Sequence, residues 1–96
     1  MGAKKMTLSI DLDRTWTRDP EGWRQFVTLF QSRGHRVIIA TGRQRHTSDM
    51  DRFGIPPDLL VVYCGSTPKR QACLALGIEV EVWVDDMLPA GKDHEL

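Results

Sequence analysis

The sequence lacks the features that mark several large classes of protein. No apolar run approaches the ~20 residues that a membrane-spanning helix needs, so we expect no membrane partner. The two cysteines, Cys64 and Cys73, do not have the spacing of metal ligands, and we expect reduced structural thiols in a cytoplasmic protein. The sequence also has no excess of positive or negative charge. Thirteen basic residues balance thirteen acidic ones, which argues against electrostatic steering of the whole molecule to nucleic acid.

Length sets the next limit. With 96 residues the chain has room for one domain with a modest core, which we expect to span residues 1–96. Internal repeats, linkers and low-complexity stretches are absent from the sequence. The first residues include Lys4 and Lys5 but no apolar stretch long enough for a signal peptide, which favours the same cytoplasmic location.

Four apolar segments alternate with helix patterns along the chain. The segment Val37–Ala40 is apolar throughout, which is typical of a parallel strand buried on both faces. Asp19-Pro20 and Thr67-Pro68 each combine a capping residue with a proline, which predicts a helix start. The predicted strands are 6–12, 36–40, 59–63 and 80–84, and the predicted helices are 20–33, 47–53 and 69–76. This order, β-α-β-α-β-α-β, predicts an α/β fold with a three-layer, Rossmann-like parallel sheet.

Chemically reactive side chains follow three of the four predicted strands, and one more opens the helix after the remaining strand. The carboxyl ends of parallel strands share one edge of a sheet, where open α/β sheets bind ligands, so we expect these side chains to converge there. They are Asp11 and Asp13 at the end of the first strand, Thr41 after the second, Lys69 after the third, and Asp85 and Asp86 after the fourth.

The types of these side chains suggest phosphoryl chemistry. Carboxylates from separate strands form an oxygen-rich site that suits Mg²⁺. One carboxylate can act as the nucleophile that forms an aspartyl-phosphate, and a second can donate a proton to the leaving group and later activate water. A hydroxyl group and an ammonium group can hold the transferring oxygens, whose charge must be stabilised in the transition state.

The order of the motifs resembles the haloacid dehalogenase-like (HAD) superfamily of hydrolases. Residues 11–15 match its first motif, Asp-x-Asp-x-Thr, and residues 37–41 match its second, an apolar strand ending in Ser or Thr. Lys69 resembles the third motif, a lysine near a helix start, and residues 82–86 resemble the fourth, an apolar strand ending in paired acids. The resemblance covers residues 6–89. The compact pattern is also similar to small phage-borne members of the superfamily.

The resemblance implies a role for each acidic residue. Asp11 would attack phosphorus and ligate Mg²⁺. Asp13 would be the general acid and base, with its backbone carbonyl on the metal. Asp85 or Asp86 would complete the metal site, and the sequence leaves open which of the two ligates directly.

The resemblance also implies the substrate contacts. Thr41 and Lys69 would bind the phosphoryl oxygens, and Lys69 would counter the charge of the nucleophile. Gly42 and Arg43 directly follow Thr41 and are further candidates for substrate binding. Arg14 stands where the superfamily commonly has a small residue, and it either binds a substrate phosphate or points outward.

The spacing of the motifs leaves no room for a cap domain. Larger superfamily members insert one between motifs, but only 27 residues separate Asp13 from Thr41 and 27 separate Thr41 from Lys69. We therefore expect a minimal core with an open site, which a bulky substrate or a neighbouring subunit of a homo-oligomer would cover. Whether a fifth strand follows residue 89 is left open by the sequence.

The function that follows from the resemblance is a Mg²⁺-dependent phosphatase, a phosphoric monoester hydrolase. Arginines after the strand ends suggest that its phosphorylated substrate is a nucleotide or a nucleic-acid end. A receiver-type signalling domain uses similar groups but would need an acid after the third strand, where the sequence reads Tyr63-Cys64-Gly65. The alternative is a non-catalytic regulatory module that binds phosphate and Mg²⁺ without turnover.

Two further side chains have open or ordinary interpretations. Trp16 lies next to the first motif, so it either lines the substrate site or packs on the sheet. His35 has no partner at metal-ligand spacing, and we expect it at the surface.

Overall fold

Four short strands rich in branched apolar residues form one parallel sheet in the computed structural model of the protein, which describes residues 4–45 and 51–86. The strands are β1 (Thr7–Asp11), β2 (Arg36–Thr41), β3 (Leu60–Tyr63) and β4 (Val82–Val84). The helices are α1 (Pro20–Ser32) and α2 (Lys69–Ala75), with short 3₁₀ turns at Trp16–Arg18 and Asp51–Phe53. The prediction of an α/β fold with a parallel sheet is confirmed.

The order of strands in the sheet is β3-β2-β1-β4, and every neighbouring pair is parallel. β1 therefore lies inside the sheet, with β2 on one side and β4 on the other. The register pairs Ile10 with Val84 and Asp11 with Ala40. Because the chain leaves β1 toward one side and returns on the other, the order reverses at β1, where α/β sheets open a ligand crevice.

α1 begins and ends as its sequence signals predict. Pro20 is its first residue, and the side chain of Asp19 caps it by accepting a hydrogen bond from the backbone N–H of Gly22 at 3.0 Å. Gly34 follows the helix with φ at +90°, a left-handed conformation that glycine adopts at low cost. One face of the helix buries Val27 against the sheet.

α2 agrees with the predicted helix in position but not in its cap. The residue before the helix is Pro68, and no side chain caps the helix by a hydrogen bond, so the prediction that Thr67 is the cap is wrong. The backbone N–H of Thr67 instead donates to the carbonyl of Cys64 at 3.0 Å, which keeps Thr67 in the turn that precedes the helix. The helix opens at Lys69, as predicted.

The apolar core consists of two clusters that take alternate residues of β2. Since successive side chains of a strand point to opposite faces, the clusters lie on opposite faces of the sheet. The first cluster contains Val37 and Ile39 together with Leu8, Ile10, Leu12, Trp16, Val27 of α1 and Leu59. The second contains Ile38 and Ala40 together with Val62, Cys64, Cys73 of α2, Ile78 and Val80.

Trp16 belongs to the core. Its side chain is completely buried in the first cluster, and its indole Nε1–H donates to the carbonyl of Phe53 at 2.8 Å. Of the two interpretations of this residue, packing on the sheet is therefore correct and lining of the substrate site is wrong. The indole also ties the loop after β1 to the 3₁₀ turn before β3.

The prediction that His35 lies at the surface is wrong. His35 is only 6% exposed, its Nδ1 accepts a hydrogen bond from the backbone N–H of Met6 at 3.2 Å, and its ring lies 4.8 Å from that of Phe30. The residue joins the end of α1 to the start of β1. Its polar ring is tolerated there because the backbone supplies a partner.

The predicted boundaries differ from the observed ones mainly at the sheet edges. β4 begins at Val82 rather than at Val80, and β1 ends at Asp11 because the chain turns after it. Of the helix predicted over 47–53, residues 51–53 form a 3₁₀ turn and the rest lie outside the described residues. The open question of a fifth strand after residue 89 also falls outside them.

No helix within 4–45 or 51–86 is long and apolar enough to cross a membrane.

Replacement of Trp16 by Phe is expected to lower the free energy of unfolding by about 1–3 kcal/mol, because the partly buried carbonyl of Phe53 loses its donor. Urea unfolding of the two proteins measures the difference. Leu29 is 59% exposed on α1, so a Leu29→Ala control should change stability by less than about 0.5 kcal/mol. Equal stability of Trp16→Phe and the wild type would contradict the structural role of this hydrogen bond.

Candidate functional site

Asp11 is the most deeply buried carboxylate of the predicted site. It is the last residue of β1 and only 7% exposed. The Lys69 ammonium lies 2.5 Å from its Oδ1, and the Thr15 hydroxyl donates to its Oδ2 at 3.4 Å. Burial raises the pKa of Asp11 above its ordinary value, and the neighbouring carboxylates of Asp85 and Asp86 add to this against the opposing effect of Lys69. An additional cation would therefore stabilise the ionised form.

Lys69 connects two of the predicted acidic residues. It is the first residue of α2, and its Nζ lies 2.5 Å from Asp11 Oδ1 and 2.7 Å from Asp85 Oδ2. Burial alone would lower the pKa of Lys69, but hydrogen bonds to these two carboxylates raise it above the ordinary value. The side chain is thus a fixed cation at the carboxyl edge of the sheet.

Three carboxylates converge beside this lysine. One oxygen each from Asp11, Asp85 and Asp86 lies within 4.8 Å of the others. The sheet brings them together because β1 and β4 are neighbours with Ile10 opposite Val84, so that the residues after these partners share one edge. These three carboxylates could hold a hard divalent cation such as Mg²⁺, since they offer oxygens alone and carry more negative charge than Lys69 and Arg14 offset.

Asp13 occupies a separate position. Its carboxylate is not one of the three that converge; it forms a two-pronged ion pair with Arg43, with Nη2 at 2.7 Å and Nε at 3.0 Å and 3.2 Å from its oxygens. This hydrogen-bonded pair lowers the pKa of Asp13 and raises the pKa of Arg43. The Arg43 guanidinium also lies 5.0 Å from the ring centre of Phe53. The metal contact expected of Asp13 concerned its backbone carbonyl and stays a prediction.

Thr41 ends β2 as predicted and is fully buried. Its hydroxyl accepts a hydrogen bond from the backbone N–H of Arg43 at 3.1 Å, which fixes the turn after the strand. Gly42 is exposed in that turn, and a Cβ added there would meet the Gly65 carbonyl at an unstrained 3.7 Å. The structure thus brings Thr41 and Gly42 to the same sheet edge as the acidic residues, while Thr41 itself secures the loop that carries Arg43.

Arg14 lies at the rim of the acidic group and neither of its two predicted roles is tested. Its Nε contacts Asp86 Oδ2 at 3.0 Å, and its side chain is 65% exposed. The residue has φ at +65°, a left-handed conformation that is uncommon for a residue other than glycine. Its backbone N–H donates to the Thr17 hydroxyl at 3.0 Å, and its carbonyl accepts from Arg18 Nε at 2.9 Å.

Arginines and aromatic rings form a surface that the sequence did not indicate. The Arg45 guanidinium lies 4.6 Å from the ring centre of Tyr63, and that of Arg52 lies 4.9 Å from the ring centre of Phe53. The pairing of β2 with β3 sets Thr41 opposite Tyr63, which places Tyr63 beside the turn that leads to Arg45. We call this the arginine-aromatic surface, and it consists of Arg43, Arg45, Arg52, Phe53 and Tyr63.

The site therefore combines a buried carboxylate, a fixed ammonium, two further carboxylates and an acid paired with an arginine. This set can bind a cation, hold an anionic group and present a carboxylate oxygen to it. Comparisons of the chain with protein-family models, with curated proteins and with solved structures give no match. The functional interpretation accordingly depends on the chemistry of these residues.

Proposed function

We propose that the protein is a Mg²⁺-dependent phosphohydrolase of the HAD type, a phosphoric monoester hydrolase built on a capless, three-layer, Rossmann-like core. One observation carries the proposal: Asp11 is buried at the end of a central strand, in contact with Lys69 and within 4.8 Å of the carboxylates of Asp85 and Asp86. Burial of a carboxylate is costly unless it is paired or ligates a cation, so an arrangement of this kind is typical of functional sites.

The proposed reaction has two steps at Asp11. In the first, a carboxylate oxygen forms a bond to phosphorus as the bond from phosphorus to the leaving oxygen breaks, and Asp13 donates a proton to that oxygen. In the second, water attacks the aspartyl-phosphate, Asp13 takes the proton from water, and phosphate leaves with Asp11 restored. A bound Mg²⁺, held by Asp11 and by Asp85 or Asp86, would supply positive charge to the phosphoryl oxygens.

Other residues would hold the phosphoryl group during both steps. The Lys69 ammonium already contacts Asp11, so it lies within reach of a group that reacts there. Thr41, the last residue of β2, and Gly42, which follows it, would supply a hydroxyl and a backbone N–H to the remaining oxygens. Such donors accelerate phosphoryl transfer because they stabilise charge that spreads over the equatorial oxygens.

Asp13 can act as an acid only after it leaves Arg43. The ion pair keeps Asp13 ionised, since it lowers the pKa of that carboxyl group. A substrate phosphate offers Arg43 an alternative two-pronged partner. We therefore assign Arg43 to substrate binding, with release of Asp13 as the consequence.

We further propose that the substrate is a nucleotide or a nucleic-acid end. The arginine-aromatic surface includes Arg43, which contacts Asp13 of the proposed site, and Arg45, which lies over the ring of Tyr63 at the end of β3. Guanidinium groups neutralise backbone phosphates, and aromatic rings with arginine stack on bases. An open site without a cap would admit the end of a long chain.

Arg45→Gln is expected to weaken binding of a 3′-phosphorylated single-stranded oligonucleotide by about 3–10-fold and to reduce the salt dependence of binding by about one phosphate contact. Fluorescence anisotropy at several salt concentrations measures both. Arg36→Gln is the matched control, because Arg36 is exposed at the opposite end of β2. If sugar phosphates are better substrates than nucleotides and oligonucleotide ends, the nucleic-acid proposal is wrong and the phosphatase proposal stands.

The proposed activity is tested by release of phosphate from an aryl phosphate with Mg²⁺ and with EDTA. We expect turnover with Mg²⁺ and none with EDTA, since the carboxylates need a cation to accept an anionic substrate. Calorimetric titration with Mg²⁺ accompanies the assay. Binding of Mg²⁺ without turnover of any phosphorylated substrate would favour the alternative, a non-catalytic module that binds phosphate and Mg²⁺.

A further inference from the structure

Two cations of the chain share the charge of the three converging carboxylates. Lys69 contacts Asp11 and Asp85, and Arg14 contacts Asp86. These two cations differ in position. Lys69 is fixed between two carboxylates at the start of a helix, whereas Arg14 reaches the group from the rim with a side chain that is 65% exposed. Arg14 is therefore the one of the two that an anion in solvent reaches more readily.

The backbone holds Arg14 at this rim in an unusual conformation. A left-handed residue other than glycine persists where its surroundings determine it, and such residues occur preferentially at functional sites. Here the hydroxyl of Thr17 fixes the backbone N–H of Arg14 and the side chain of Arg18 fixes its carbonyl. The backbone of Arg14 is thus held at both its N–H and its carbonyl, while 65% of its side chain is exposed.

We propose that Arg14 exchanges between Asp86 and the substrate phosphate, and that binding of the divalent cation drives this exchange. A cation at the three carboxylates repels a guanidinium on the same group and takes over the charge of Asp86. The released guanidinium is planar and has paired donors that match two phosphate oxygens. The inference rests on the proposed function for the cation, and it goes beyond it by coupling two binding events through one residue.

The exchange makes Arg14 a competitor of the cation and a partner of the phosphate. Loss of its guanidinium should therefore tighten the binding of Mg²⁺ and weaken the binding of phosphate in the presence of Mg²⁺. Loss of a residue that formed only a surface ion pair would not change the affinities for Mg²⁺ and for phosphate in opposite directions. A residue that only bound substrate would leave the affinity for Mg²⁺ unchanged.

The test uses calorimetric titration of MgCl₂ alone and of inorganic phosphate at saturating Mg²⁺. For Arg14→Gln we expect Mg²⁺ to bind about 3–10-fold more tightly, as fits the loss of one partly exposed ion pair, and phosphate to bind about 10-fold more weakly. Arg14→Lys keeps the charge but loses the paired donors, so its Mg²⁺ affinity should match the wild type while its phosphate affinity falls. Glycine adopts the left-handed conformation without strain. Arg14→Gly should therefore bind Mg²⁺ as tightly as Arg14→Gln does and have a larger free energy of unfolding than Arg14→Gln.

Arg70→Gln is the matched control for a change of net charge, because Arg70 is exposed and directly follows Lys69. If Arg70→Gln and Arg14→Gln increase the affinity for Mg²⁺ equally, the proposed exchange is wrong. An unchanged phosphate affinity in Arg14→Gln would also contradict it. The two proposals fail differently. If the wild type binds Mg²⁺ and hydrolyses phosphate esters while Arg14→Gln behaves like it, only the exchange is wrong; a wild type that binds no Mg²⁺ contradicts both.

Discussion

Asp11→Asn is expected to lower the rate of phosphate release by at least about 10³-fold, the order of effect seen when a catalytic nucleophile is removed. The amide has the size of the carboxylate, so the loss reports chemistry rather than shape. It has no oxygen with enough negative charge to attack phosphorus, and it gives up one ligand of the proposed cation. The measurement is the initial rate with an aryl phosphate at saturating Mg²⁺.

The same substitution has a distinct effect on stability. The pKa of Asp11 is raised in the folded protein, so ionisation of this residue opposes folding. Below the ordinary Asp value of 3.8 the penalty is absent, and it develops as the pH rises through the raised pKa. In EDTA, the free energy of unfolding of Asp11→Asn relative to the wild type should therefore increase as the pH rises from about 4 toward neutrality.

Asp58→Asn is the matched control, since Asp58 is exposed and its carboxylate contacts only the Gln31 amide among the bonds recorded for the described residues. It should retain the full rate, and its free energy of unfolding at neutral pH should stay within about 0.5 kcal/mol of the wild type. Retention of activity by Asp11→Asn would show that another group attacks phosphorus. Loss of activity with loss of the folded state, seen by circular dichroism, would attribute the effect to folding.

The fold could be predicted because its signals are local. The continuous apolar segment Val37–Ala40 and the Asp19-Pro20 start of α1 follow from propensity and period, and both are found where the sequence indicates them. The order of the strands in the sheet is not a local signal, because it depends on which segments pair. That order, β3-β2-β1-β4, is what brings Asp11 to Lys69 across 58 positions of sequence.

The contacts of long side chains could not be predicted in this way. The ion pair of Asp13 with Arg43 is one example, because it joins the turn after β1 to the turn after β2 through side chains 30 positions apart in the sequence. The buried ring of His35 accepts a hydrogen bond at Nδ1 from the backbone N–H of Met6, which lies 29 positions earlier in the chain. Sequence patterns report which face a residue lies on, and they contain little information about such pairings.

Lys69→Met is expected to reduce both activity and stability, and Mg²⁺ should restore only the second. Methionine keeps the length and the apolar stem of lysine but removes the cation that contacts Asp11 and Asp85. A buried carboxylate that loses its partner destabilises a protein by about 3 kcal/mol. We therefore expect a loss of about this size in urea unfolding at neutral pH with EDTA, and a smaller loss at acidic pH, because the raised pKa of Asp11 favours its neutral form as the pH falls.

A divalent cation bound by the three carboxylates replaces part of the missing charge, so saturating Mg²⁺ should recover most of the stability. It cannot recover the donor that holds the phosphoryl oxygens, and the rate should stay about 10²-fold or more below the wild type. Lys69→Arg keeps the charge and should remain stable in EDTA, while Arg70→Met changes an exposed neighbour and should lose neither property. Equal stability of Lys69→Met and the wild type in EDTA would mean that Asp11 does not depend on this lysine. Recovery of activity together with stability would remove Lys69 from the proposed reaction and leave it the role of a counter-ion alone.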